Sequence, residues 1–315
     1  MCELKLINMK DVEVEEVKWL LYPFIPYGKV TIIQGDPGEG KTTLVLQIIA
    51  RLTKGESVLK EEPSEPINVI YQTAEDGLGD TIKPRLIAAD ADCSKVLVID
   101  DKDTPLTMRD IRLEKAIEET NAKLVVLDPI QGFLGSDVDM HRANEIRPLM
   151  KHISELAEKY KCAFILIGHM NKCSMSKSTY RGLGSIDFQA AARSVLVVGR
   201  VKDEPEIRVV CQTKSSLAPE AKSIAFKLSE ENGFEWIGEY DVTADDLLSG
   251  TVKGTKKQQA IEFLEDVLSD GSKLQTEIME LAKEKGISEK TLRNAKEELN
   301  IKSKRQDKQW CWSLD

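Results

Sequence analysis

Short apolar runs alternate with longer amphipathic stretches between residues 30 and 170 of the chain. The runs are rich in valine, isoleucine and leucine and carry no charged residue, which is typical of strands buried on both faces. The predicted strands are Val30–Ile33, Ile67–Tyr71, Val96–Ile99, Leu124–Leu127 and Phe164–Ile167. Because helices are predicted between them, the pattern indicates an α/β fold in which helices cover both faces of a parallel sheet.

The helices predicted between these strands begin near Lys41 and near Asp80, and later ones span Met108–Thr120 and Arg142–Tyr160. Beyond them the pattern changes, because strands follow one another with only turn-like residues between. These strands are Ser194–Val198, Ile207–Cys211 and Ile224–Leu228. We therefore expect an antiparallel extension at one edge of a mostly parallel sheet.

The composition changes again near residue 248. Residues 248–256 are rich in glycine, serine and threonine and lack periodicity, so they are predicted to form a linker. After it come predicted helices at Lys257–Leu268, Gln275–Glu284 and Ser288–Leu299, and then an extended segment at Lys302–Leu314. This order is that of a winged helix-turn-helix. Residues 1–247 and 257–315 are therefore predicted to be separate domains.

Composition narrows the class of protein. The chain is 41% hydrophobic and 31% charged, as ordinary globular proteins are. No apolar run approaches the ~18 residues that a membrane span needs, and the N-terminal residues lack the pattern of a signal peptide. We expect a cytoplasmic protein without membrane contact. The six cysteines include no Cys-x-x-Cys pair, which favours reduced, structural thiols over a metal or redox site.

A glycine-rich loop follows the first buried strand and opens the first helix. It matches the pattern G-x-x-x-x-G-K-[ST] of the phosphate-binding P-loop. Its residues are Gly35, Asp36, Pro37, Gly38, Glu39, Gly40, Lys41, Thr42 and Thr43. Backbone N–H groups of such a loop point at phosphate oxygens, and the helix dipole adds to the attraction. Lys41 is predicted to bind the β- and γ-phosphates of ATP, and Thr42 to bind Mg²⁺.

Acidic residues and a histidine follow other predicted strands. Asp128 ends the run Leu124–Leu127, as the Walker B aspartate that holds Mg²⁺ does. Glu75 follows the second strand, where a carboxylate could activate the attacking water, with Asp76 as the competing candidate. His169 ends the strand Phe164–Ile167 and is predicted to contact a γ-phosphate or that water.

This order of motifs resembles the RecA-like ATPases of hexameric RepA-type helicases, including their phage- and plasmid-encoded AAA-family relatives. Ala74-Glu75-Asp76, Leu127-Asp128-Pro129 and Gly168-His169 carry the resemblance over roughly residues 20–240, and Tyr180–Phe188 is similar to a channel-lining segment. The resemblance implies a homo-hexameric ring with ATP between subunits, Glu75 as catalytic base and His169 as phosphate sensor.

The resemblance also implies a basic residue that reaches the neighbouring subunit's γ-phosphate. Lys214 stands at the matching position, although serines follow it where such helicases usually have an arginine, so Arg193 and Arg208 remain alternatives. The polar segment 171–180 would then face the ring channel and contact single-stranded DNA. Its candidate contacts are Lys172 and Lys177, together with Arg181 directly after it.

Part of the C-terminal segment is a local basic patch, although the whole chain has a net charge of −9. From Lys290 to Lys308 there are seven basic residues against three acidic ones. We expect the third helix to contact duplex DNA, with the wing extending the basic surface. The candidate contacts are Lys290, Arg293, Lys296, Lys304 and Arg305. The alternative is a helical protein-docking module, which the acidic residues of the same helix favour.

Together these features favour an ATPase that moves along, unwinds or remodels DNA in replication or recombination. The alternative is a DNA-binding initiator or regulator that ATP switches without translocation. A small-molecule kinase is disfavoured, because no arginine-rich lid is apparent and a glutamate after the second strand suits hydrolysis.

Overall fold

The computed structural model describes residues 6–59, 64–170, 186–202, 204–229, 231–249, 256–269, 271–306 and 309–314. The chain divides into two compact units. The first consists of Met1–Val197 and Gln212–Ala221, and the second of Val198–Cys211 and Lys222–Asp315. Among the described residues, none of the helices combines the length and the apolar composition needed to cross a membrane.

The first unit is an alternation of strands and helices. Its strands are β1 (Trp19–Leu21), β2 (Ile25–Pro26), β3 (Val30–Gly35), β4 (Val69–Thr73), β5 (Val96–Leu97), β6 (Leu124–Asp128), β7 (Ala163–His169) and β8 (Ser194–Arg200), of which the last three residues belong to the second unit. Its helices are α1 (Lys41–Lys54), α2 (Lys83–Ala88), α3 (Ile111–Thr120), α4 (Ala143–Tyr160) and α5 (Ile186–Ala191).

The strands from β3 to β8 form a parallel sheet in the order β8-β3-β7-β6-β4-β5. The central strands β3 and β6 are buried along their whole length, which explains their unbroken apolar sequences. One face packs against α3 and α4, whose buried side chains include Leu113, Ile117 and Leu149. The predicted mostly parallel α/β sheet is confirmed.

The second unit contains an antiparallel meander and a helical part. The meander begins with β9 (Ile207–Ser215), whose last four residues are assigned to the first unit. β10 (Ile224–Ser229) pairs antiparallel with β9 and with β11 (Gly233–Glu239). The helical part holds α6 (Ala244–Ser249), α7 (Lys256–Leu268), α8 (Gln275–Glu284) and α9 (Glu289–Glu298), with short strands β12 (Lys273–Leu274), β13 (Lys302–Gln306) and β14 (Gln309–Ser313). The linker predicted at 248–256 is wrong at its ends, since Leu248 and Ser249 belong to α6 and Lys256 begins α7, and its other residues lie outside the described part of the chain.

A separate apolar cluster holds α7, α8, α9 and the ribbon of β13 and β14 together. Leu264, Ile278, Leu292 and Trp312 are almost completely buried in it. Ser288 begins α9 as a cap, since its hydroxyl accepts a hydrogen bond from the N–H of Thr291. The helices and the ribbon lie where the sequence predicts them.

Two elements of the first unit are shorter than predicted. The strand expected at Val96–Ile99 pairs only at Val96 and Leu97, because the backbone of Ile99 bonds instead to the side-chain amide of Gln72 at 2.8 and 3.0 Å. The helix expected from Met108 begins at Ile111, since the carboxylate of Asp110 caps it by accepting from the N–H of Arg112.

Candidate nucleotide-binding site

The loop from Gly35 to Thr43 joins the buried strand β3 to helix α1. Gly38 and Gly40 have φ of +79° and +85°, a conformation that L side chains rarely adopt. Gly40 is the N-cap of α1 and makes no side-chain cap, so the first N–H groups of the helix are left for another partner. A helix N-terminus preceded by such a loop is suited to phosphate.

The side chain of Lys41 folds back onto this loop. Its Nζ donates hydrogen bonds to the carbonyl oxygens of Gly35 at 2.9 Å and Asp36 at 2.7 Å. Burial lowers the pKa of Lys41, and the carboxylates of Asp128, Glu39, Asp36 and Glu75 act against that shift. A buried ammonium group held beside a glycine loop is a site that an anion would stabilise.

Asp128, at the end of β6, receives hydrogen bonds from two different elements. Thr42 Oγ1, on α1, and Tyr71 Oη, on β4, each donate to Asp128 Oδ2 at 2.7 Å. The carboxylate is 8% exposed. Its burial raises the pKa of Asp128, and the bonds from Thr42 and Tyr71 act in the opposite direction.

These oxygens fit a magnesium site. Mg²⁺ prefers oxygen ligands and keeps several waters, so one or two protein groups together with substrate phosphates suffice. The hydroxyl of Thr42 and the carboxylate of Asp128 already lie side by side at the start of α1. Thr42 and Asp128 would hold Mg²⁺ when ATP is bound, and the cation would supply positive charge beside the phosphates.

Glu75 and Asp76 have different surroundings. Asp76 Oδ2 lies 3.3 Å from Arg85 Nη1, and its N–H donates to Thr73 Oγ1 at 3.1 Å. Glu75 is exposed, and no described residue donates a hydrogen bond to its carboxylate. The charge of Glu75 is nevertheless close enough to oppose the lowering of the Lys41 pKa. The carboxylate of Glu75 is therefore the more available of the two for a water molecule.

The loop that carries Glu75 is fixed to the strand that carries Asp128. Ala74 donates its N–H to the carbonyl oxygen of Asp128 at 3.0 Å. Gly132, in the turn after Asp128, lies so close to Ala74 that a side chain at Gly132 would collide with the Ala74 methyl group. These contacts hold the chain at residue 74 against the end of β6.

His169 closes the site at the end of β7. In the parallel pairing of β3 and β7, His169 is the register partner of Gly35, the first residue of the loop. Its Nδ1 lies 3.3 Å from Lys41 Nζ. The structure thus brings His169, Lys41, Thr42 and Asp128 together, as the sequence predicts.

Two of the basic residues suggested for the subunit boundary, Lys214 and Arg208, hydrogen-bond to backbone carbonyls of their own chain. Lys214 Nζ donates to the carbonyl oxygens of Gln189 at 2.7 Å and Ala190 at 2.9 Å, at the end of α5. Burial lowers the pKa of Lys214, and the charge of Arg193 adds to the effect. Arg208 is buried in the second unit, where its guanidinium bonds to the carbonyl of Pro205.

The candidate DNA contacts divide into two sets. Lys172, Lys177 and Arg181 lie outside the described residues. In the second unit Lys290, Lys304 and Arg305 are exposed, and Arg293 is paired with Glu289 at 2.6 Å. Lys296 donates to Ser303 Oγ at 2.6 Å and lies 4.7 Å from the centre of the Trp312 ring.

Tyr71 is a member of this cluster that the sequence does not single out. It is completely buried in β4, and its hydroxyl donates a hydrogen bond to the carboxylate of Asp128. A polar-tipped aromatic residue near the end of an otherwise apolar strand is the available signal, since a buried tyrosine hydroxyl needs a partner.

Comparisons with known proteins agree with this geometry. The model of the AAA domain family AAA_25 matches residues 3–175. RecA of Marinobacter nauticus is 23% identical over 294 residues, which are 85% of this chain and 81% of that protein. The DNA repair protein RadA of Streptococcus pneumoniae is 25% identical over 168 residues, and the match spans 53% of this chain but only 36% of RadA.

A solved KaiC-like protein from Pyrococcus horikoshii shares the fold. Its TM-score is 0.50 at 17% sequence identity, over 68% of this chain and 93% of that one. The parallel sheet, the loop from Gly35 to Thr43 and the paired Thr42 and Asp128 are those of a RecA-like P-loop ATPase domain. Since its model matches more than half of the chain, the protein belongs to the AAA domain family AAA_25.

Proposed function

We propose that this protein hydrolyses ATP to ADP and phosphate, with Mg²⁺, while associated with DNA. The observation that carries the proposal is the cluster at the end of β3: Lys41 lies across the glycine loop, and Thr42 and Asp128 share a hydrogen bond beside it. A phosphate cradle and a hard-cation site at one helix N-terminus serve nucleoside triphosphates.

Each residue of the cluster has a separate task in this proposal. The loop amides and Lys41 bind the phosphates and stabilise the charge of the transition state. Thr42 and Asp128 hold Mg²⁺, and Tyr71 orients Asp128. Glu75 accepts a proton from the attacking water as general base. His169, within hydrogen-bond distance of Lys41, senses the γ-phosphate at the end of β7.

The association with DNA rests on the relatives and on exposed basic residues of the second unit. RadA is named as a DNA repair protein, and RecA matches most of the chain. Lys290, Lys304 and Arg305 expose their charges on α9 and β13. In this proposal residues 257–315 are a winged-helix domain that binds duplex DNA, with α9 as its recognition helix and the β13–β14 ribbon as its wing.

The motor form of the proposal is a homo-hexameric ring of the RepA-helicase type. Single-stranded DNA would pass through its channel along Lys172, Lys177 and Arg181, and ATP would be bound between subunits. Lys214 would contact the neighbour's γ-phosphate. Lys214 also hydrogen-bonds to the end of α5, the helix that follows the channel segment. Loss of the neighbour's γ-phosphate on hydrolysis would therefore alter a contact that Lys214 shares with α5.

The second candidate is an ATP-switched initiator or regulator that binds DNA without moving along it. The exposed basic residues of α9 and β13 favour it equally, since duplex binding needs no translocation. A strand-displacement assay separates the two. Partial duplexes with a 5′ or a 3′ single-stranded overhang are incubated with the protein, Mg²⁺ and ATP.

The motor form predicts that one of the two duplexes is unwound, and that the Lys41→Ala variant unwinds neither. The control shows that any strand release depends on ATP and not on binding alone. ATP hydrolysis without displacement of either strand would favour the switched regulator.

A further inference from the structure

The two tryptophans of the C-terminal ribbon point to the same side. In the antiparallel pairing of β13 and β14, Trp312 lies opposite Ser303 and Trp310 lies opposite Arg305. Residues two apart in a strand face the same way. Lys296 of α9 contacts both Ser303 Oγ, at 2.6 Å, and the ring of Trp312, at 4.7 Å. The side that carries both tryptophans is therefore the side on which α9 lies.

The burial of the two rings differs sharply. Trp312 is 2% exposed and belongs to the apolar cluster beneath the helices. Trp310, one step further along the same side, is 52% exposed. A large aromatic ring left in water costs hydrophobic free energy that burial would recover. Its neighbour across the ribbon is the exposed cation Arg305, so a positive charge flanks the ring.

Aromatic rings beside cations are the elements with which proteins hold nucleic acid bases. A continuous duplex shows only the edges of its bases in the grooves, because each face is covered by the next base pair. A base offers a free face where it is unpaired, whereas the terminal bases of a blunt duplex stay paired with each other. Trp310 lies on the side of the ribbon where α9 would hold the duplex.

We propose that Trp310 stacks on an exposed base where duplex DNA meets single-stranded DNA, while α9 and Arg305 hold the adjoining phosphates. The second unit would thus recognise a junction in preference to an uninterrupted duplex. The inference rests on the proposed DNA association of this unit, and it names the DNA structure that the unit selects.

The test uses the full chain without nucleotide at low salt, with a blunt duplex and with the same duplex carrying a single-stranded overhang. Binding is followed by fluorescence anisotropy of the labelled DNA and by quenching of tryptophan emission. The variants are Trp310→Ala and Trp310→Phe. Ile237→Ala is the matched control, because Ile237 is the other large apolar side chain of the second unit that is exposed among its described residues, at 45%.

We expect Trp310→Ala to weaken binding to the overhang duplex roughly ten-fold, the size of one lost stacking contact, and to leave blunt-duplex binding unchanged. Trp310→Phe should keep the affinity, since phenylalanine also stacks, but should lose the quenching that the overhang duplex causes. Ile237→Ala should behave as the wild type does. Single-stranded DNA bound elsewhere on the chain would affect all variants alike.

Equal binding of the overhang duplex by Trp310→Ala and Ile237→Ala would overturn the proposal. So would an equal loss for both DNAs, which would indicate insertion into a groove or a structural role. If the wild type binds neither DNA, the DNA association itself fails, and the inference falls with it. Binding of both DNAs with no effect at Trp310 would leave the DNA association standing and remove the inference alone.

Discussion

Asp128 is the residue on which the contacts of the candidate site converge. Its Oδ2 accepts from Thr42 at the start of α1 and from Tyr71 within β4, so one oxygen ties two elements to the end of β6. A carboxylate that is 8% exposed needs such donors, because an unpaired buried charge is costly. The bond from Tyr71 fixes the orientation in which Asp128 would meet Mg²⁺.

Tyr71→Phe tests that role. The substitution keeps the buried ring and removes the hydroxyl, so the carboxylate loses one donor and some of its orientation. We expect the Mg²⁺ concentration for half-maximal ATP hydrolysis to rise roughly ten-fold, with less change in the maximal rate. Tyr160→Phe is the control, because the hydroxyl of Tyr160 bonds Glu114 on the surface formed by α3 and α4. Equal Mg²⁺ requirements in both variants would contradict the role.

The binding and catalytic roles separate at Lys41 and Glu75. Lys41→Ala removes the ammonium group of the loop, so both ATP affinity and turnover should fall by orders of magnitude. Glu75→Gln keeps the shape of the side chain but cannot accept the proton, so ATP should still bind while turnover is lost. Binding is measured with a fluorescent ATP analogue and turnover by phosphate release.

Asp76→Asn is the control for Glu75→Gln, because Asp76 is engaged with Arg85. It should retain most of the turnover. Should Glu75→Gln keep near-normal turnover while Asp76→Asn loses it, the base would be Asp76.

Helix α5 is the element that links the site to the rest of the first unit. Its Gln189 donates a side-chain N–H to Gln34 Oε1 at 3.3 Å, one residue before the phosphate loop. Its last carbonyls accept from Lys214 on β9. Gln34 is completely buried and its Nε2 has no partner among the described residues, an unusual group to leave unsatisfied.

Lys214 should therefore stabilise α5 within a single chain. A helix of six residues has most of its terminal carbonyls free, and a cation that donates hydrogen bonds to them is stabilising. We expect Lys214→Ala to lower the free energy of unfolding by about 1–2 kcal/mol, measured by urea denaturation. Lys161→Ala, which breaks the exposed pair with Glu15, should have little effect. Equal stabilities for the two variants would show that the α5 contact contributes nothing.

The elements that the sequence predicts best are those that its apolar runs mark directly. The strands β3, β6 and β7 were predicted within two residues of their ends, because both of their faces are buried. The hairpin of β1 and β2 was missed, since it is short and surrounds Pro23. β11 was missed because exposed and half-buried residues alternate along it, and α5 because six residues show no period.

At the site too, the sequence predicts only those residues that a local pattern marks. Lys41 and Thr42 are found from a contiguous motif, and Asp128 and His169 from their places after predicted strands. The bonds from Tyr71 to Asp128 and from Gln189 to Gln34 join residues far apart in sequence, at 57 and 155 positions. No local pattern encodes such contacts, so only the fold reveals them.

For the whole molecule, the proposed ring requires that each catalytic site draw residues from two chains. Lys214→Ala and Glu75→Gln would then damage opposite sides of a shared site. In a mixture of the two variants some boundaries join an intact Glu75 to an intact Lys214. The mixture should hydrolyse ATP faster than either variant alone, and light scattering should report an assembly of the wild type.

A monomer with full activity, or a mixture no faster than its components, would contradict shared sites. The stability measurement on Lys214→Ala makes the result interpretable. It shows how much of any loss comes from α5 within the chain and how much from the boundary.

The central claim is that the site at the end of β3 hydrolyses ATP in response to DNA. The most direct measurement is the steady-state rate of phosphate release from Mg·ATP, with and without single-stranded DNA, for the wild type and for Lys41→Ala. The wild type should hydrolyse ATP, DNA should raise its rate several-fold, and Lys41→Ala should be inactive in both conditions. A rate that DNA leaves unchanged, or that survives in Lys41→Ala, would contradict the claim.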